Sequence, residues 1–216
     1  MKPLGIATLS QLKYVVFDIE TTGFSHKTER IIQISAVKID GNRISQDLRK
    51  KVTEVDPNKP IKSDGLIYNA FINPKRSVPK KITELTGITN AMVKNQAGEE
   101  NILPEFFKFV GDRILVAHNG IKFDVKFLEK SSKKVGLPND NFLCLDTLWL
   151  SRKLYPEEKK HKLINIVERF SLQKKYPSSF LNQMHNALVD VMFTAEALKV
   201  FMAELNERGM DKLLLI

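Results

Sequence analysis

The chain has 216 residues, enough to bury one sizeable hydrophobic core, and no Pro-, Gly- or Ser-rich linker divides it, so we predict a single domain over residues 1–216. Its formal net charge of +9 favours a polyanionic partner. The single cysteine excludes an internal disulfide bond, no apolar stretch reaches the roughly 18 residues that cross a membrane, and no secretory pattern opens the chain, so we expect a cytoplasmic protein.

The first predicted element is a strand at residues 14–20, because residues 14–17 are β-branched and aromatic and a Thr-Thr-Gly turn follows. The two-residue period of a strand puts Asp18 and Glu20 on one face. Two like charges about 4 Å apart repel by roughly 4 kcal/mol in a partly buried site, and a divalent cation would resolve that conflict. Carboxylates favour Mg²⁺ or Mn²⁺ over zinc. A lone Asp-x-Glu is nevertheless more often just the polar end of a strand.

The remaining strands and helices follow in a regular order. Further strands are predicted at residues 31–39, 66–72, 114–117 and 142–145. Helices are predicted at residues 79–85, 102–110, 121–134, 147–154, 162–170 and 187–206. Three consecutive strands followed by alternating helices and strands predict an α/β fold, with a mixed five-stranded sheet flanked by helices. Functional sites in such sheets gather at strand ends.

Two later segments place more acids in apolar surroundings. Asp124 opens the helix that follows the strand at 114–117, where an acid alone is compatible with an ordinary contact to the helix dipole. His185 and Asp190 are five residues apart, about 140° around a helix, so they serve one site only if His185 precedes the helix and Asp190 points inward. His185 is then a candidate general base, although a lone histidine near a helix start is more often a capping or core residue.

Six ordered segments of the chain resemble the motifs of one enzyme family. They are Phe-Asp-Ile-Glu-Thr-Thr-Gly at 17–23, Phe-Ile-Asn-Pro at 71–74, Ile-Thr-Glu-Leu-Thr-Gly-Ile-Thr at 82–89, Val-Ala-His-Asn at 116–119 with Phe-Asp at 123–124, Leu-Asp-Thr at 145–147, and His-Asn-Ala-Leu-Val-Asp at 185–190. Together they resemble the DEDDh (DnaQ-like) 3′-to-5′ exonucleases, which include the proofreading epsilon subunit of bacterial DNA polymerase III and the exonuclease domain of PolC-type polymerase. The resemblance spans nearly the whole chain.

The resemblance implies a ribonuclease-H-like fold and hydrolysis of phosphodiester bonds with two divalent ions, Mg²⁺ or Mn²⁺. Asp18 would bridge the two ions, Glu20 and Asp190 would hold the ion that binds the attacking water, and Asp124 would help to hold the other. His185 would take the proton of that water. Two ions about 3.5 to 4 Å apart stabilise both the attacking and the leaving oxygen of an in-line displacement.

The resemblance also implies contacts with the substrate. The backbone of Thr21, Thr22 and Gly23 would approach the terminal nucleotide, where glycine allows close contact, although the segment alone is compatible with a simple tight turn. Leu85 and Ile88 would form an apolar wedge that separates the last bases. The alternative is that these two side chains belong to the core.

Three further residues near the end of the strand at 114–117 match the family. His118 and Asn119 would lie near the sugar and the phosphate, although Asn119 is also a candidate cap for the next helix. Phe123 would pack either under the bases or in the core.

The chain departs from the family pattern by a basic insertion at about residues 45–65. Its cations are Arg49, Lys50, Lys51, Lys59 and Lys62. We expect a solvated extended hairpin or loop, and the alternative is a basic flap that grips nucleic acid or a polymerase component. The apolar segment 210–216 is compatible with a docking tail or with a segment that folds back on the body.

The sequence therefore predicts a metal-dependent 3′-to-5′ exonuclease that acts on single-stranded or frayed DNA in proofreading or repair, with DNA polymerase subunits as possible partners. One alternative is a 3′-to-5′ exoribonuclease that acts on RNA. The other is a non-catalytic nucleic-acid-binding module of the same fold, which retention of all five site residues disfavours.

Overall fold

The computed structural model describes residues 5–41, 43–61, 65–137 and 142–215. The strands in this part of the chain are β1 (Gly5–Thr8), β2 (Lys13–Thr21), β3 (Ile31–Asp40), β4 (Ile67–Phe71), β5 (Ile114–Ala117), β6 (Cys144–Asp146) and β7 (Lys212–Leu215). The α-helices are α1 (Gln46–Glu54), α2 (Lys80–Thr86), α3 (Asn90–Lys94), α4 (Glu99–Val110), α5 (Asp124–Lys134), α6 (Thr147–Leu154), α7 (Leu163–Arg169), α8 (Ser178–Leu181) and α9 (Ala187–Glu207).

Five strands form one mixed sheet in the order β4-β3-β2-β5-β6. The strands β2, β3 and β4 pair antiparallel, whereas β5 pairs parallel to β2 and β6 parallel to β5. The predicted α/β fold with a mixed five-stranded sheet is therefore confirmed. The carboxyl ends of β2, β5 and β6 lie at the same edge of the sheet, and the residues that follow these three strands meet there.

The two faces of the sheet are covered by different helices, and β2 contributes to both. Tyr14 and Val16 pack with α9, α6, α7 and α1, whereas Val15 and Phe17 pack with α4 and α5 on the other face. This alternation follows from the two-residue period of the strand. It places Asp18 and Glu20, which continue the Tyr14 and Val16 side, on the face that α9 covers.

Several element boundaries differ from those predicted. The helix α4 begins at Glu99 rather than 102, because Gly98 precedes two acids that suit the first turn of a helix. The helix α5 begins at Asp124 rather than 121, because residues 119–121 form a turn bound by the Asp146 carboxylate. The short helices α3 and α8 are not predicted from the sequence. Short elements carry little periodicity from which to recognise them.

The basic insertion contains a docked helix, so the expectation of an extended hairpin or loop is wrong for residues 46–54. Ser45 caps α1 by accepting a hydrogen bond from the Leu48 backbone N–H at 3.0 Å, and Leu48 and Val52 are buried against the α9 side of the core. These two apolar residues are four apart, which places them on one face of the helix. Lys62 lies outside the described residues.

A buried acid joins α1 to α9. Glu196 is fully buried, and its carboxylate contacts the Arg49 guanidinium, the Lys175 ammonium and the Tyr176 hydroxyl. Burial raises the pKa of Glu196, but hydrogen bonds from Arg49 and Lys175 outweigh burial, and the pKa is lowered. A buried carboxylate without partners would be strongly destabilising, so this network fixes the insertion against the helix that carries Asp190.

The two ends of the described chain form a separate two-stranded sheet, in which β1 pairs antiparallel with β7. The apolar segment near the carboxyl end therefore folds back on the body as far as Leu215. None of the helices in the described part of the chain combines the length and hydrophobicity needed to span a membrane.

Candidate active site

Three carboxylates from two distant elements converge at the sheet edge. Asp18 and Glu20 come from the end of β2, and Asp190 comes from the first turn of α9. Each offers an oxygen atom within 4.8 Å of the oxygens of the other two. The helix supplies the third acid because Asn186 caps α9 by accepting a hydrogen bond from the Leu188 N–H at 3.1 Å, which places Asp190 four residues later, facing the strand.

Asp124 reaches the same edge from the opposite face of the sheet. It is buried at the start of α5, and its Oδ1 accepts a hydrogen bond of 3.1 Å from the backbone N–H of Ile19, the residue between Asp18 and Glu20. A backbone N–H between the two acids thus holds the fourth carboxylate next to them. The predicted convergence of all four acids is present.

The acids repel one another and are partly shielded from water. Burial raises the pKa of Asp18 well above its usual range, and the charges of Asp124, Asp190 and Glu20 raise it further. The pKa of Glu20 is raised in the same way by burial, Asp190 and Asp124. Burial raises the pKa of Asp124 to about 7 and that of Asp190 to about 7. In the metal-free protein these groups compete for protons near neutral pH.

We predict that the metal-free protein loses stability as the pH rises from about 6.5 to 8.5. The folded acids bind protons up to about pH 7 or above, whereas unfolded aspartate releases them near pH 4, so the folded state holds more protons and rising pH favours unfolding. Burial lowers the pKa of His118 to about 4, so the folded protein binds fewer protons at this residue than the unfolded protein does. His118 therefore makes stability rise with pH, but only below about pH 6.5.

Urea unfolding in EDTA at several pH values measures this effect. Excess Mn²⁺ is expected to abolish the decline, since bound cations replace the protons that the acids would otherwise hold. A free energy of unfolding in EDTA that stays constant or rises across this window would contradict the prediction.

The residues at this edge fit a divalent cation. The donors are carboxylates, the ligands that Mg²⁺ and Mn²⁺ prefer. The Oδ1 atom of Asp190 is buried and has no hydrogen-bond partner in the described part of the chain, although a buried carboxylate oxygen ordinarily has one. A cation held by Asp18, Glu20 and Asp190 would satisfy that oxygen and remove the repulsion.

His185 directly precedes α9, as the five-residue spacing requires. Its side chain is exposed and its backbone has φ +72°, in the left-handed region that few residues other than glycine adopt. The backbone of His185 lies against the Asp190 carboxylate and lowers the pKa of that group, opposing the effect of burial. The histidine therefore stands at the solvent side of the acid cluster.

The insertion supports the backbone next to His185. The Asn186 amide lies 3.4 Å from the Pro57 carbonyl and 3.4 Å from Asn58 Oδ1. Gln33 and Asn69 also donate hydrogen bonds to the Pro57 carbonyl. Residues 57–58 thus connect the sheet with the cap of α9, a role that sequence analysis did not foresee.

The turn after β2 is tightly organised. Thr21 and Thr22 are buried: the Thr21 hydroxyl donates to the Gly23 carbonyl at 2.6 Å, and the Thr22 hydroxyl donates to Glu29 at 2.6 Å. A Cβ atom on Gly23 would lie 2.9 Å from the Glu29 side chain, so a larger residue here would displace the glutamate that binds Thr22. The threonine side chains serve the turn itself.

The two residues expected to form a wedge differ in their surroundings. Leu85 is 44% exposed on α2, whereas Ile88 is 0% exposed and packs with Ile32 and Phe71. The structure therefore favours the alternative of a core residue for Ile88. Phe123 is partly buried and packs against Phe127 with ring centroids 5.0 Å apart, which combines a core contact with a partly open face.

His118 and Asn119 follow β5 at the same edge. His118 is partly buried and its Nδ1 lies 3.0 Å from the Thr147 hydroxyl, whereas Asn119 is exposed with φ +63°. Asn119 does not cap the next helix, because α5 begins five residues later with Phe123 in the cap position. Its backbone N–H donates to the Asp146 carboxylate at 3.0 Å.

Two residues near the site, Asp146 and Phe24, were given no role by the sequence patterns. Asp146 is buried and accepts hydrogen bonds from the backbone N–H groups of Asn119, Ile121, Leu148 and Trp149, so it joins the turn after β5 to the start of α6. The position of Asp146 before a helical run predicts that it caps α6. Nothing in the sequence predicts that it also binds the turn after β5. Phe24 is 71% exposed directly after the Thr-Thr-Gly turn, and exposure of so large an apolar side chain is visible only in the structure.

Comparisons with known proteins agree with this geometry. The family model RNase_T, described as Exonuclease, matches residues 15–198. DNA polymerase III PolC-type of Clostridium perfringens is 40% identical over 195 residues, which are 90% of this chain and 12% of that protein. DNA polymerase III subunit epsilon of Aquifex aeolicus is 34% identical over 192 residues, which are 89% of this chain and 81% of that protein. The chain thus spans 12% of the length of its PolC-type relatives.

Solved structures share the fold at low sequence identity. Exonuclease X in complex with 5′ overhanging duplex DNA has a TM-score of 0.62 and 22% identity, covering 91% of this chain and 93% of that one. Exonuclease I of E. coli in complex with a dT13 oligonucleotide has a TM-score of 0.67 and 15% identity, covering 92% and 43%. These similarities confirm the ribonuclease-H-like arrangement that the sequence motifs imply.

Proposed function

The chain belongs to the RNase_T exonuclease family, and from that premise we propose that it is a metal-dependent 3′-to-5′ exonuclease acting on single-stranded or frayed DNA in proofreading or repair. The observation that carries the proposal is the half-buried group of Asp18, Glu20 and Asp190, whose oxygens lie within 4.8 Å of one another, with the buried Asp124 bound to the backbone of Ile19 beside them. A binding module has no need of clustered acids that repel.

Each acid has a distinct position from which to act. Asp18, Glu20 and Asp190 would hold a cation between β2 and α9, and Asp124, from the opposite face, would help to hold a second one beside Asp18. When bound, two such cations stabilise the attacking and leaving oxygens of an in-line displacement and lower the pKa of the attacking water. By holding the cations at these positions, the four carboxylates would orient the scissile phosphate relative to β2.

His185 is the proposed general base. It stands exposed beside Asp190, where it can receive a proton from water and release it to solvent. Because α9 begins one residue after Asn186 and the insertion holds that asparagine, the histidine is presented from a supported backbone. General bases placed in this way contribute on the order of 10² to 10⁴ in rate.

The terminal nucleotide would lie between the turn after β2 and the residues after β5. The backbone of Thr21 to Gly23 borders it on one side, and His118, Asn119 and Phe123 border it on the other. Leu85 and the exposed Phe24 offer apolar surface for unstacked bases, which favours a single-stranded or frayed end over an intact duplex.

DNA is the proposed substrate because the relatives at 34–40% identity are named as DNA polymerase III components. The same names support a role together with DNA polymerase subunits, either as partners or as parts of one longer chain.

The proposed function is tested by incubating a 5′-labelled single-stranded DNA oligonucleotide with the protein and Mg²⁺ or Mn²⁺. We expect a ladder of shortened labelled products, and no ladder in EDTA. A single labelled mononucleotide product would instead indicate attack from the 5′ end, and an intact oligonucleotide in every metal would favour the binding-module alternative.

Two substrate pairs refine the result. RNA of identical sequence tests whether the protein prefers deoxyribose or ribose, because the 2′-hydroxyl is the group that a protein must sense to distinguish them. Faster degradation of RNA than of DNA would favour an exoribonuclease. A primer with a mismatched 3′ end is expected to be shortened faster than a fully paired one. Equal rates on the two primers would contradict the proofreading role.

A further inference from the structure

A basic groove lies on the β6 side of the sheet and reaches the residues that directly follow β5. It encloses about 620 Å³ between α6, residues 159–165 and the pair His118 and Asn119. Its cationic side chains are Arg152, Lys159, Lys160 and Lys162, and we refer to it as the lysine groove. Among the residues that the structure describes, none that lines the groove is acidic.

The lysine groove begins one strand away from the catalytic carboxylates. In the parallel pairing of β2 with β5, Val16 lies opposite Val116, so His118 lies level with Asp18 on the neighbouring strand. Adjacent strands are about 4.8 Å apart. A nucleic-acid strand whose 3′ end meets Asp18 and Glu20 can therefore enter the groove within a few nucleotides.

The cations of the groove are free to bind a ligand. Lys50, Lys80 and Lys126 each pair with an acid on their own helix. Within the described ranges, by contrast, Arg152, Lys159, Lys160 and Lys162 form no ion pair. The nearby Glu158 binds Arg169 at 3.1 Å rather than a lysine of the groove.

The lysine-bearing segment is held in place by two histidines. The ring of His161 donates from Nε2 to the Glu158 carbonyl at 2.9 Å and pairs through Nδ1 with the Ser151 hydroxyl at 2.8 Å. The His118 ring contacts both Thr147 and the backbone of His161, and burial lowers the pKa of His118 to about 4, so it is neutral at pH 7. Positive charge is thereby presented on a fixed backbone.

Two large apolar side chains are exposed close in sequence to the residues that line the groove, and the Lys153 ammonium lies 5.9 Å from the centre of the Trp149 ring. Trp149 is 55% exposed and Ile121 is 48% exposed, and the backbone N–H groups of both residues point at the Asp146 carboxylate. Trp149 shares a face of α6 with Arg152, three residues later. Aromatic surface beside a row of cations is the arrangement that binds single strands, in which bases stack while phosphates pair with Lys and Arg.

We propose that the lysine groove binds the phosphodiester backbone of the substrate strand a few nucleotides from its 3′ end, with Trp149 stacking on an unpaired base. This proposal rests on the proposed exonuclease function, because that function supplies the strand whose end lies at the acids. The groove would then set the affinity for longer substrates without touching the reacting atoms.

The test compares two triple variants with the same change in charge. The groove variant removes the three lysines of the groove by Lys159→Ala, Lys160→Ala and Lys162→Ala. The control variant removes three exposed lysines at the opposite end of the sheet by Lys13→Ala, Lys108→Ala and Lys133→Ala. Both are assayed on a 20-nucleotide single strand and on the 4-nitrophenyl ester of thymidine 5′-monophosphate, which is too short to reach the groove. Binding of the labelled 20-mer is measured in EDTA over a range of salt concentrations.

We expect the groove variant to lose about tenfold or more in kcat/KM on the 20-mer and to keep its rate on the ester. The plot of log K against log salt should become less steep by about 2, because three lysines are removed and each lost single-strand phosphate contact reduces the magnitude of the slope by about 0.7. Equal losses in both triple variants, or an unchanged slope in the groove variant, would overturn the proposal. If the groove variant shows the reduced salt dependence of binding but the parent protein hydrolyses neither substrate, the groove would still be a binding site and the exonuclease function would be refuted.

The single-strand assignment has its own control. Trp149→Ala is expected to weaken binding of the single strand more than binding of a blunt duplex, because only unpaired bases can stack on the indole. Equal weakening of both ligands would overturn the assignment of a stacking role.

Discussion

Asp18→Asn is expected to reduce exonuclease activity by on the order of 10³-fold or more while raising the Tm of the metal-free protein. Asp18 offers an oxygen within 4.8 Å of those of Glu20 and Asp190, and Asp124 binds the backbone N–H of the next residue, Ile19, so loss of Asp18 would remove a ligand from both proposed cation positions. Metal ions supply several kcal/mol of charge stabilisation in the transition state, and about 1.4 kcal/mol is tenfold in rate. Rates on the labelled oligonucleotide measure the first effect.

The opposite sign of the stability effect follows from electrostatics. Burial and three neighbouring acids raise the pKa of Asp18, so its charged form is unfavourable in the metal-free fold at pH 8. Asparagine has nearly the same shape without the charge. Each 1 kcal/mol gained raises Tm by about 2–4 °C in a protein of this size.

The control for this variant is Asp112→Asn, which removes an exposed acid in the turn between α4 and β5. It is expected to leave the rate, the Tm in EDTA and the Tm increase caused by Mn²⁺ unchanged. A variant at Asp18 that keeps the full Mn²⁺-induced increase in Tm would contradict the assignment of this residue as a cation ligand.

His185→Asn is expected to lower kcat by about 10² to 10⁴ while the Mn²⁺-induced increase in Tm is retained. Asparagine is chosen because it tolerates the left-handed backbone at φ +72° better than alanine does, so the start of α9 keeps its conformation. It cannot act as a base. Single-turnover rates on the oligonucleotide, measured with saturating protein, isolate this effect from substrate binding.

A second substitution separates loss of the base from loss of structure. His185→Gly also accepts the positive φ and leaves an open space beside Asp190, so added imidazole is expected to restore part of the rate. Imidazole should have no effect on the Asn variant. Full activity of either variant would show that another group takes the proton.

The strand β2 shows how much of the site was predictable from local pattern. The run at 14–17 and the alternation after it predict both the strand and the shared face of Asp18 and Glu20, because side-chain direction in a strand depends only on position. The five-residue interval between His185 and Asp190 similarly predicts that one lies before the helix and the other on it. Both expectations use geometry within a few residues of chain.

The insertion shows the opposite case. Its lysines suggest a solvated segment, but Leu48 and Val52 bury one face of α1, and Arg49 binds a carboxylate 147 residues away in the chain. A sequence with few apolar residues offers little periodicity, and its partner on α9 cannot be identified locally. Ile88 is similar, because a lone apolar residue after a turn is equally compatible with a wedge and with the core.

The sequence by itself predicted the strands of the main sheet and, through the spacing of its motifs, the family to which the chain belongs, and it singled out the four acids and the histidine as candidate site residues. Only the tertiary structure decided that Asp124 approaches from the opposite face of the sheet through the Ile19 N–H, that Pro57 supports the cap of α9, and that the lysines at 159, 160 and 162 line a groove together with His118 and Asn119. The reason is physical: periodicity and capping act over a few residues, whereas these contacts join groups that strand register and helix packing bring together from distant parts of the chain.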